Sequence, residues 1–114
     1  MFSVDYSHKS VFISAYNIRR IDFRNQIKLQ KLIVRALKNS CEQIVVNLVG
    51  VRQMDTSTMN MLKLMAGITR SLGINFILMN LDNELSTKIK KSYTDIALCL
   101  ASPVETFFLA EKIN

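Results

Sequence analysis

The feature that most constrains the fold is an apolar segment, residues 44–51, that is joined by a short polar turn to an amphipathic helix. A nearly continuous run of β-branched and aliphatic residues is typical of a strand covered on both faces. After the turn, apolar residues recur at the spacing of one helix face: Met61, Leu64, Met65, Ile68 and Leu72. The helix is expected to end at Gly73. A central strand that leads directly into a helix predicts an α/β fold.

The turn between this strand and this helix carries one carboxylate and three hydroxyls, in Asp55, Thr56, Ser57 and Thr58. Asp, Ser and Thr are preferred helix N-caps because their side-chain oxygens accept hydrogen bonds from the free N–H groups of the first turn. Capping therefore explains these residues on local chemistry. The carboxyl end of a strand is also where open α/β sheets present functional groups. A structural cap and a modification site both remain open.

Periodicity predicts the elements before the turn. Residues 2–6 alternate between apolar and polar, residues 11–16 are also strand-like, and the two segments form a candidate hairpin with His8 in its turn. A helix follows, with Asp22 as a possible cap. The apolar positions of this helix keep helical spacing and are expected to face the core: Leu29, Leu32, Ile33, Ala36 and Leu37.

The second half of the chain continues the alternation of strands and helices. Residues 74–81 form another apolar run, and strand, helix and strand with short joints make a right-handed parallel unit. Asp82 can cap a short helix with Leu85 and Ile89 inward and its lysines, Lys88, Lys90 and Lys91, largely outward. Residues 96–101 are expected to form the last strand. A final helix would begin at Ser102, with these residues in its first turn and on its core or docking side: Pro103, Val104, Phe107 and Phe108.

The predicted fold is one α/β domain over residues 1–114 in the order ββαβαβαβα. Four or five strands form a mixed, mostly parallel sheet with helices packed on it. A chain of 114 residues with 49% hydrophobic content can bury one core. No apolar run approaches the roughly 20 residues that span a bilayer, so a cytoplasmic protein is expected. The cysteines Cys41 and Cys99 and the single histidine lack metal-site spacing, and no cofactor is predicted.

The first long helix carries five cations on one stripe opposite its core face: Arg24, Lys28, Lys31, Arg35 and Lys38. Such stripes are mostly solvated surface. The net charge of +6 leaves two functional alternatives, an acidic protein partner or the phosphates of a nucleic acid. Nucleic acid ranks last because no aromatic residue interleaves with the stripe.

The sequence resembles the STAS domain of the anti-sigma factor antagonists. The family motif is Asp-Ser/Thr-Ser-Gly between an apolar strand and an apolar helix; Asp55, Thr56 and Ser57 match it, and Thr58 replaces the Gly. A Gly-x-Leu/Ile-Asp segment before the first long helix is matched only at Ile21 and Asp22. The order of elements is similar over nearly the whole chain.

This resemblance implies a non-enzymatic regulator in which Ser57 is phosphorylated by a partner serine kinase of the anti-sigma type and restored by a serine phosphatase (PP2C-like). Thr56 and Thr58 are alternative acceptors. Asp55 would hold the turn and orient the Ser57 hydroxyl. The surface that binds the partner is expected to consist of the following residues: Met54, Asp55, Thr56, Ser57, Thr58, Met59 and Lys63. The pathway output is left open between transcription and another process such as biofilm control.

Other functions also fit this sequence. Some STAS proteins are never phosphorylated and act as constitutive scaffolds or as an accessory subunit of a lipid-transport ATPase. A nucleotide-binding module is possible because helix amino termini attract phosphates, although no Gly-rich loop is present. An enzyme ranks last, because the single histidine, the isolated cysteines and the scattered carboxylates offer no assembled acid, base and nucleophile.

Overall fold

The computed structural model describes residues 1–102, 105–106 and 108–109. Within these residues there are six strands: β1 (Phe2–Ser7), β2 (Ser10–Ala15), β3 (Arg20–Ile21), β4 (Gln43–Asn47), β5 (Gln53–Met54) and β6 (Asn75–Met79). There are also four helices: α1 (Gln26–Leu37), α2 (Thr56–Ser71), α3 (Asn83–Ser92) and α4 (Thr94–Ala97). Residues 105–106 and 108–109 are helical as well.

The main sheet has four strands in the order β1-β2-β4-β6. Strands β1 and β2 form the predicted antiparallel hairpin, with His8 in its turn at a φ of 54°. The β2–β4 and β4–β6 pairs are parallel, which makes β4 a central strand as predicted. Strands β3 and β5 form a separate parallel pair that joins Arg20 to Gln53 and Ile21 to Met54. The expected mixed, mostly parallel α/β domain is confirmed.

Apolar side chains fill both faces of the sheet. The larger core contains the inward residues of the four helices and one set of alternating strand residues, among them Ile13, Ile44 and Leu78. The smaller core lies on the opposite face and contains Phe12, Val45, Ile77, Met79 and Leu109. Alternation of side chains along each strand distributes them to both cores. This two-sided burial accounts for the nearly continuous apolar runs in β4 and β6.

Strand β4 ends at Asn47, four residues earlier than predicted. The side-chain Oδ1 of Asn47 accepts a hydrogen bond from the backbone N–H of Val49 at 3.2 Å, and Gly50 adopts a φ of 83°. The chain therefore turns here, although Leu48 and Val51 are both buried. Their burial in a loop explains why residues 44–51 look like one uninterrupted strand.

The expected strand at residues 96–101 is wrong. Residues 94–97 form α4, and only Leu100 makes a parallel bridge, to Leu78 of β6. A short apolar run does not distinguish a strand from a buried helical turn by periodicity alone. The buried side chain of Ile96 lies in the larger core from within a helix.

The predicted caps are confirmed at α2 (Asp55), at α3 (Asp82) and at Ser102, and the predicted cap of α1 is wrong. Asp82 accepts a hydrogen bond from Glu84 N–H, and Ser102 Oγ accepts one from Glu105 N–H at 3.1 Å. Helix α1 begins after Asn25, and no side-chain cap is formed. Asp22 instead accepts bonds at its carboxylate from Arg24, so its expected capping role is wrong. Pro103, Val104 and Phe107 lie outside the described residues, and Phe108 is exposed.

Candidate functional site

Asp55 fixes the start of α2 and joins it to the loop before α1. One carboxylate oxygen accepts from the Thr58 N–H at 2.8 Å and the Thr58 hydroxyl at 2.7 Å. The other accepts from the Phe23 N–H at 2.9 Å. These hydrogen bonds, those from Thr58 above all, hold the pKa of Asp55 below its ordinary value because they favour the ionised form. Asp55 is thus the N-cap that local chemistry predicts.

Thr58 is a buried structural residue. Its side chain is fully buried, and its hydroxyl proton is shared between two acceptors, Asp55 Oδ1 and the backbone carbonyl of Ile21 at 3.0 Å. The expectation that Thr58 lies on the contact surface or serves as an alternative phosphate acceptor is wrong for this conformation, because no part of it is accessible. The residue that replaces the motif glycine binds β3 to α2 instead.

The two other hydroxyls of the turn differ in exposure. Thr56 is exposed, whereas Ser57 is half-buried. The Ser57 Oγ itself is covered and has no hydrogen-bond partner among the described residues. Asp55 was expected to orient the Ser57 hydroxyl, but its carboxylate bonds Thr58 and Phe23, and the described residues contain no hydrogen bond between Asp55 and Ser57. Nothing on the described part of the chain holds this oxygen in place by hydrogen bonding.

The remaining residues of the expected contact surface divide into buried and exposed groups. Met54 and Met59 are buried, so their predicted surface positions are wrong. Lys63 is exposed as expected. Met59 lies four residues after Asp55, on the side of α2 that packs into the larger core. The turn thus presents Thr56, part of Ser57 and part of Asp55.

The inward face of α2 is rotated from the predicted one. Its buried residues are Thr58, Met59, Met61, Leu62, Met65, Ala66 and Thr69. Leu64 and Leu72 were expected inward but are 54% and 60% exposed, and Ile68 is half-buried. Because apolar residues occur on most sides of α2, more than one stripe satisfies the helical period. An apolar stripe therefore remains on the outer face.

An aromatic residue that sequence reasoning missed lies beside Asp55. Phe23 is 64% exposed, its backbone N–H is bonded to Asp55, and the Arg24 guanidinium lies 5.9 Å from its ring centroid. Aromatic residues, Phe among them, are enriched in protein interfaces relative to the rest of the surface. The Ile21-Asp22 pair directly before Phe23 marks this loop in the sequence. The exposure of the Phe23 side chain depends on the tertiary fold and could not be predicted from it.

Charged residues surround a recess next to the turn. The recess has a volume of about 420 Å³ and is lined by Arg20, Arg52, Gln53, Met54, Asp55, Glu84, Leu85 and Lys88. Arg52 also forms an ion pair with Asp82 at 3.7 Å. Both signs of charge are present, so the recess does not favour an anion in the way a purely cationic pocket would.

The cationic stripe of α1 and of the loop before it lies on the surface, as predicted, with all five cations exposed. Arg24 is bonded to Asp22 at 3.0 Å, which lowers the pKa of Asp22.

The thiol of Cys41 is buried and bonded to the Ala36 carbonyl, and burial raises the pKa of this thiol. Across the described residues no cluster of three metal-ligating side chains occurs. None of the helices in this part of the chain is long and apolar enough to cross a membrane.

Comparison with solved structures identifies the fold. SpoIIAA, an anti-sigma factor antagonist in its unphosphorylated form, superposes with a TM-score of 0.73 at 14% identity, covering 100% of this chain and 99% of that one. The phosphorylated form of SpoIIAA from Bacillus gives 0.71 at 14% identity, covering 100% of both chains. An anti-sigma factor antagonist from Mycobacterium paratuberculosis gives 0.70 at 13% identity, covering 97% and 93%.

Sequence comparison gives the family. No sequence among curated proteins matches the chain. A family model for the STAS domain matches residues 13–103, which include the whole of the central strand, the turn and α2. The match covers most of the chain and agrees with the structural similarity over its full length. The chain therefore belongs to the STAS domain family.

Proposed function

We propose that this chain is a non-enzymatic partner-switching regulator that binds a signalling protein when Ser57 is unmodified and releases it when Ser57 is phosphorylated. Its partners would be a serine kinase of the anti-sigma type and a PP2C-like serine phosphatase. The observation that carries the proposal is the position of Ser57 in the first turn of α2, two residues after the capping Asp55. The similarity to anti-sigma factor antagonists supports it.

The fold would tolerate a phosphate at this position. A phosphoserine carries a charge of about −1.5 to −2. The amino terminus of a helix stabilises such a charge by roughly 0.3–1 kcal/mol, through the helix dipole and the N–H groups of the first turn. The Thr58 N–H is already bonded to Asp55, so the phosphate would be stabilised by the helix dipole and by the other N–H groups of the first turn. Folding stability is expected to change little.

Partner binding would not tolerate the same phosphate. A dianion buried in an interface without compensating cations costs several kcal/mol. A loss of only about 1.4 kcal/mol weakens binding tenfold. Exposed Thr56 and Phe23 and the half-buried Asp55 and Ser57 lie around the turn, so a partner that covers it must also cover the phosphate. Phosphorylation would therefore act by occluding an interface.

The covered position of the Ser57 oxygen is compatible with modification. Serine has three staggered rotamers about its first side-chain torsion. A buried hydroxyl without a hydrogen bond costs roughly 1–3 kcal/mol relative to a satisfied one. Because the Ser57 hydroxyl has no partner in the described part of the chain, rotation outward breaks no hydrogen bond there. The oxygen would then gain water or a kinase's phosphate donor.

Thr56 is the alternative acceptor because its side chain is exposed without any rotation. It precedes Ser57 directly and would place the charge at the same end of α2. Incubation with the native kinase, followed by mapping of phosphate by mass spectrometry, separates the two sites. We expect Ser57→Ala to abolish modification and Thr56→Ala to retain it. Full modification of Ser57→Ala would reject Ser57.

The switch itself is tested by a pull-down from the native organism with the unmodified chain, Ser57→Asp and Ser57→Asn. Asp and Asn have nearly the same shape, so they differ chiefly in charge. We expect Ser57→Asp to weaken partner binding at least tenfold with little change in melting temperature, and Ser57→Asn to retain most of the binding. Equal loss in both variants would show that shape, and not charge, governs the contact.

A constitutive partner is the second candidate, favoured by the covered Ser57 oxygen, which is out of reach in the unmodified conformation. The chain would then act as a scaffold or as an accessory subunit of a lipid-transport ATPase, without phosphorylation. Copurification with a transporter ATPase instead of a kinase would identify this role. Titration with labelled GTP or ATP tests the remaining alternative, a nucleotide-binding module.

A further inference from the structure

The outer face of α2 forms an apolar groove in which Leu64 and Leu72 are not covered by any other described part of the chain, while Ile68 also packs against the larger core. The groove has a volume of about 760 Å³ and is lined by Asn60, Lys63, Leu64, Gly67, Ile68, Arg70, Ser71, Leu72 and Asp95. Leu64, Ile68 and Leu72 follow one another at four-residue spacing and lie on one side of the helix. A contiguous exposed apolar patch with a polar rim is typical of an interaction site.

Gly67 lies in the middle of this groove and has no structural reason to be glycine. It is exposed, its backbone is helical, and an added Cβ would meet no atom within 4 Å. Glycine inside a helix is nonetheless less stable than alanine, because it loses more backbone entropy on folding. A position without side chain allows another backbone to approach the helix closely. Gly67 therefore leaves room on this face for the backbone of another segment.

The charges around the groove indicate the kind of partner. Lys63 and Arg70 lie at its rim, and Asp95 is its single acidic residue. In a symmetric dimer through this groove, the cations of one copy would face those of the other, which disfavours association. An amphipathic helix with acidic side chains beside its apolar face would match both the apolar stripe and the cations.

We propose that this groove binds an amphipathic helix of a partner protein, with the two backbones closest at Gly67 and acidic side chains near Lys63 and Arg70. The inference rests on the proposed function in one respect, that the chain acts by binding another protein. Leu64 lies seven residues after Ser57, two turns along the same face and about 10 Å away along the helix axis. One partner can therefore cover the groove and the turn together.

The first test is site-specific photo-crosslinking in the native cells, with the crosslinking residue at Leu64 and, as control, at Lys31 on the cationic stripe of α1. We expect Leu64 to capture a protein whose crosslinked peptide lies in an amphipathic helix with acidic flanks, and Lys31 not to capture it. Crosslinks to α2 of a second copy, to lipid or to a non-helical segment would overturn the proposal. So would a Leu64 pattern identical to that of Lys31.

The second test measures the affinity of a synthetic peptide with the sequence of the crosslinked segment. We expect Gly67→Ala to raise the urea midpoint of the chain and yet to weaken peptide binding at least tenfold, because the methyl group separates the two backbones. Lys63→Glu should also weaken binding, and an acidic-to-lysine change in the peptide should restore it. Unchanged affinity in Gly67→Ala would overturn the proposal.

The two proposals fail in different ways. If Ser57→Asp leaves binding of the full-length partner unchanged while Gly67→Ala weakens it, the groove stands and the phosphorylation switch is wrong. If Ser57→Asp releases the partner while Gly67→Ala does not affect it, the switch stands and the groove is wrong.

Discussion

Helices α1 and α2 pack on the same face of the sheet, but they present different surfaces to water. The outer face of α1 carries Lys28, Lys31, Arg35 and Lys38, all exposed, while its inner face carries Leu29, Ile33 and Ala36. The outer face of α2 carries Leu64, Ile68 and Leu72 around Gly67. Charge on one side of α1 identifies its solvent side, whereas the solvent side of α2 carries an apolar stripe beside Lys63 and Arg70. Under the proposed function, α1 is a structural helix and α2 both supports the fold and binds a partner.

The largest effect expected from this comparison is a difference between two leucines of α2. Leu62 is fully buried, so Leu62→Ala should destabilise the chain by about 2–5 kcal/mol through lost burial and the resulting cavity. Leu64 is mostly exposed, so Leu64→Ala should stay within about 0.5 kcal/mol. Urea denaturation monitored by circular dichroism measures both values. Similar losses in the two variants would contradict the assignment of inner and outer faces.

A smaller effect is expected at the start of α2. Thr58→Val keeps the side-chain shape but removes the bonds from the threonine hydroxyl to Asp55 Oδ1 and to the Ile21 carbonyl, which should cost about 1–3 kcal/mol. Thr56→Val is the matched control, because Thr56 is exposed, and it should change the free energy of unfolding by no more than about 0.5 kcal/mol. Urea midpoints compare the two. A loss in Thr56→Val as large as that in Thr58→Val would show that both hydroxyls support the fold.

The smallest expected effect is the pH dependence of stability that comes from the cap of α2. α2 has a carboxylate cap at Asp55, whereas α1 has no side-chain cap. Because the folded pKa of Asp55 is depressed, its ionisation stabilises the chain above the ordinary carboxyl pKa near 4, and this contribution is lost as the pH falls through the folded pKa. Asp55→Asn should therefore lower the melting temperature at pH 7 and lower it less at pH 3. A difference in melting temperature between Asp55→Asn and the unmodified chain that is the same at pH 7 and pH 3 would argue against a charge-dependent cap.

The sequence predicts those elements whose polar and apolar residues are cleanly separated. The hairpin, α1, the Asp55 cap and the inward pair of α3, Leu85 and Ile89, are all confirmed. The order of the central strand, turn and helix also gives the correct family. In these cases each residue has one environment that suits its chemistry, so a local pattern is sufficient.

Other features depend on contacts that a local pattern does not contain. The inner face of α2, the helical state of residues 94–97 and the end of β4 at Asn47 were all missed. Each involves apolar residues that a helix, a strand or a buried loop can accommodate equally well. The same holds at the candidate site, where the burial of Thr58 depends on the Ile21 carbonyl, 37 residues away in sequence.

If Ser57 is phosphorylated as proposed, its covered oxygen also affects how fast a kinase can act. A phosphoryl group is far larger than a hydroxyl, so the modified side chain can be held only in an outward rotamer, in which the oxygen is no longer covered. A kinase then reacts with the fraction of molecules that has already turned outward, or must draw the side chain out as it docks. The rate of modification would depend on this single torsion as well as on the strength of docking. A substitution beside Ser57 that changes its rotamer populations would alter the timing of the response while leaving the binding surface intact.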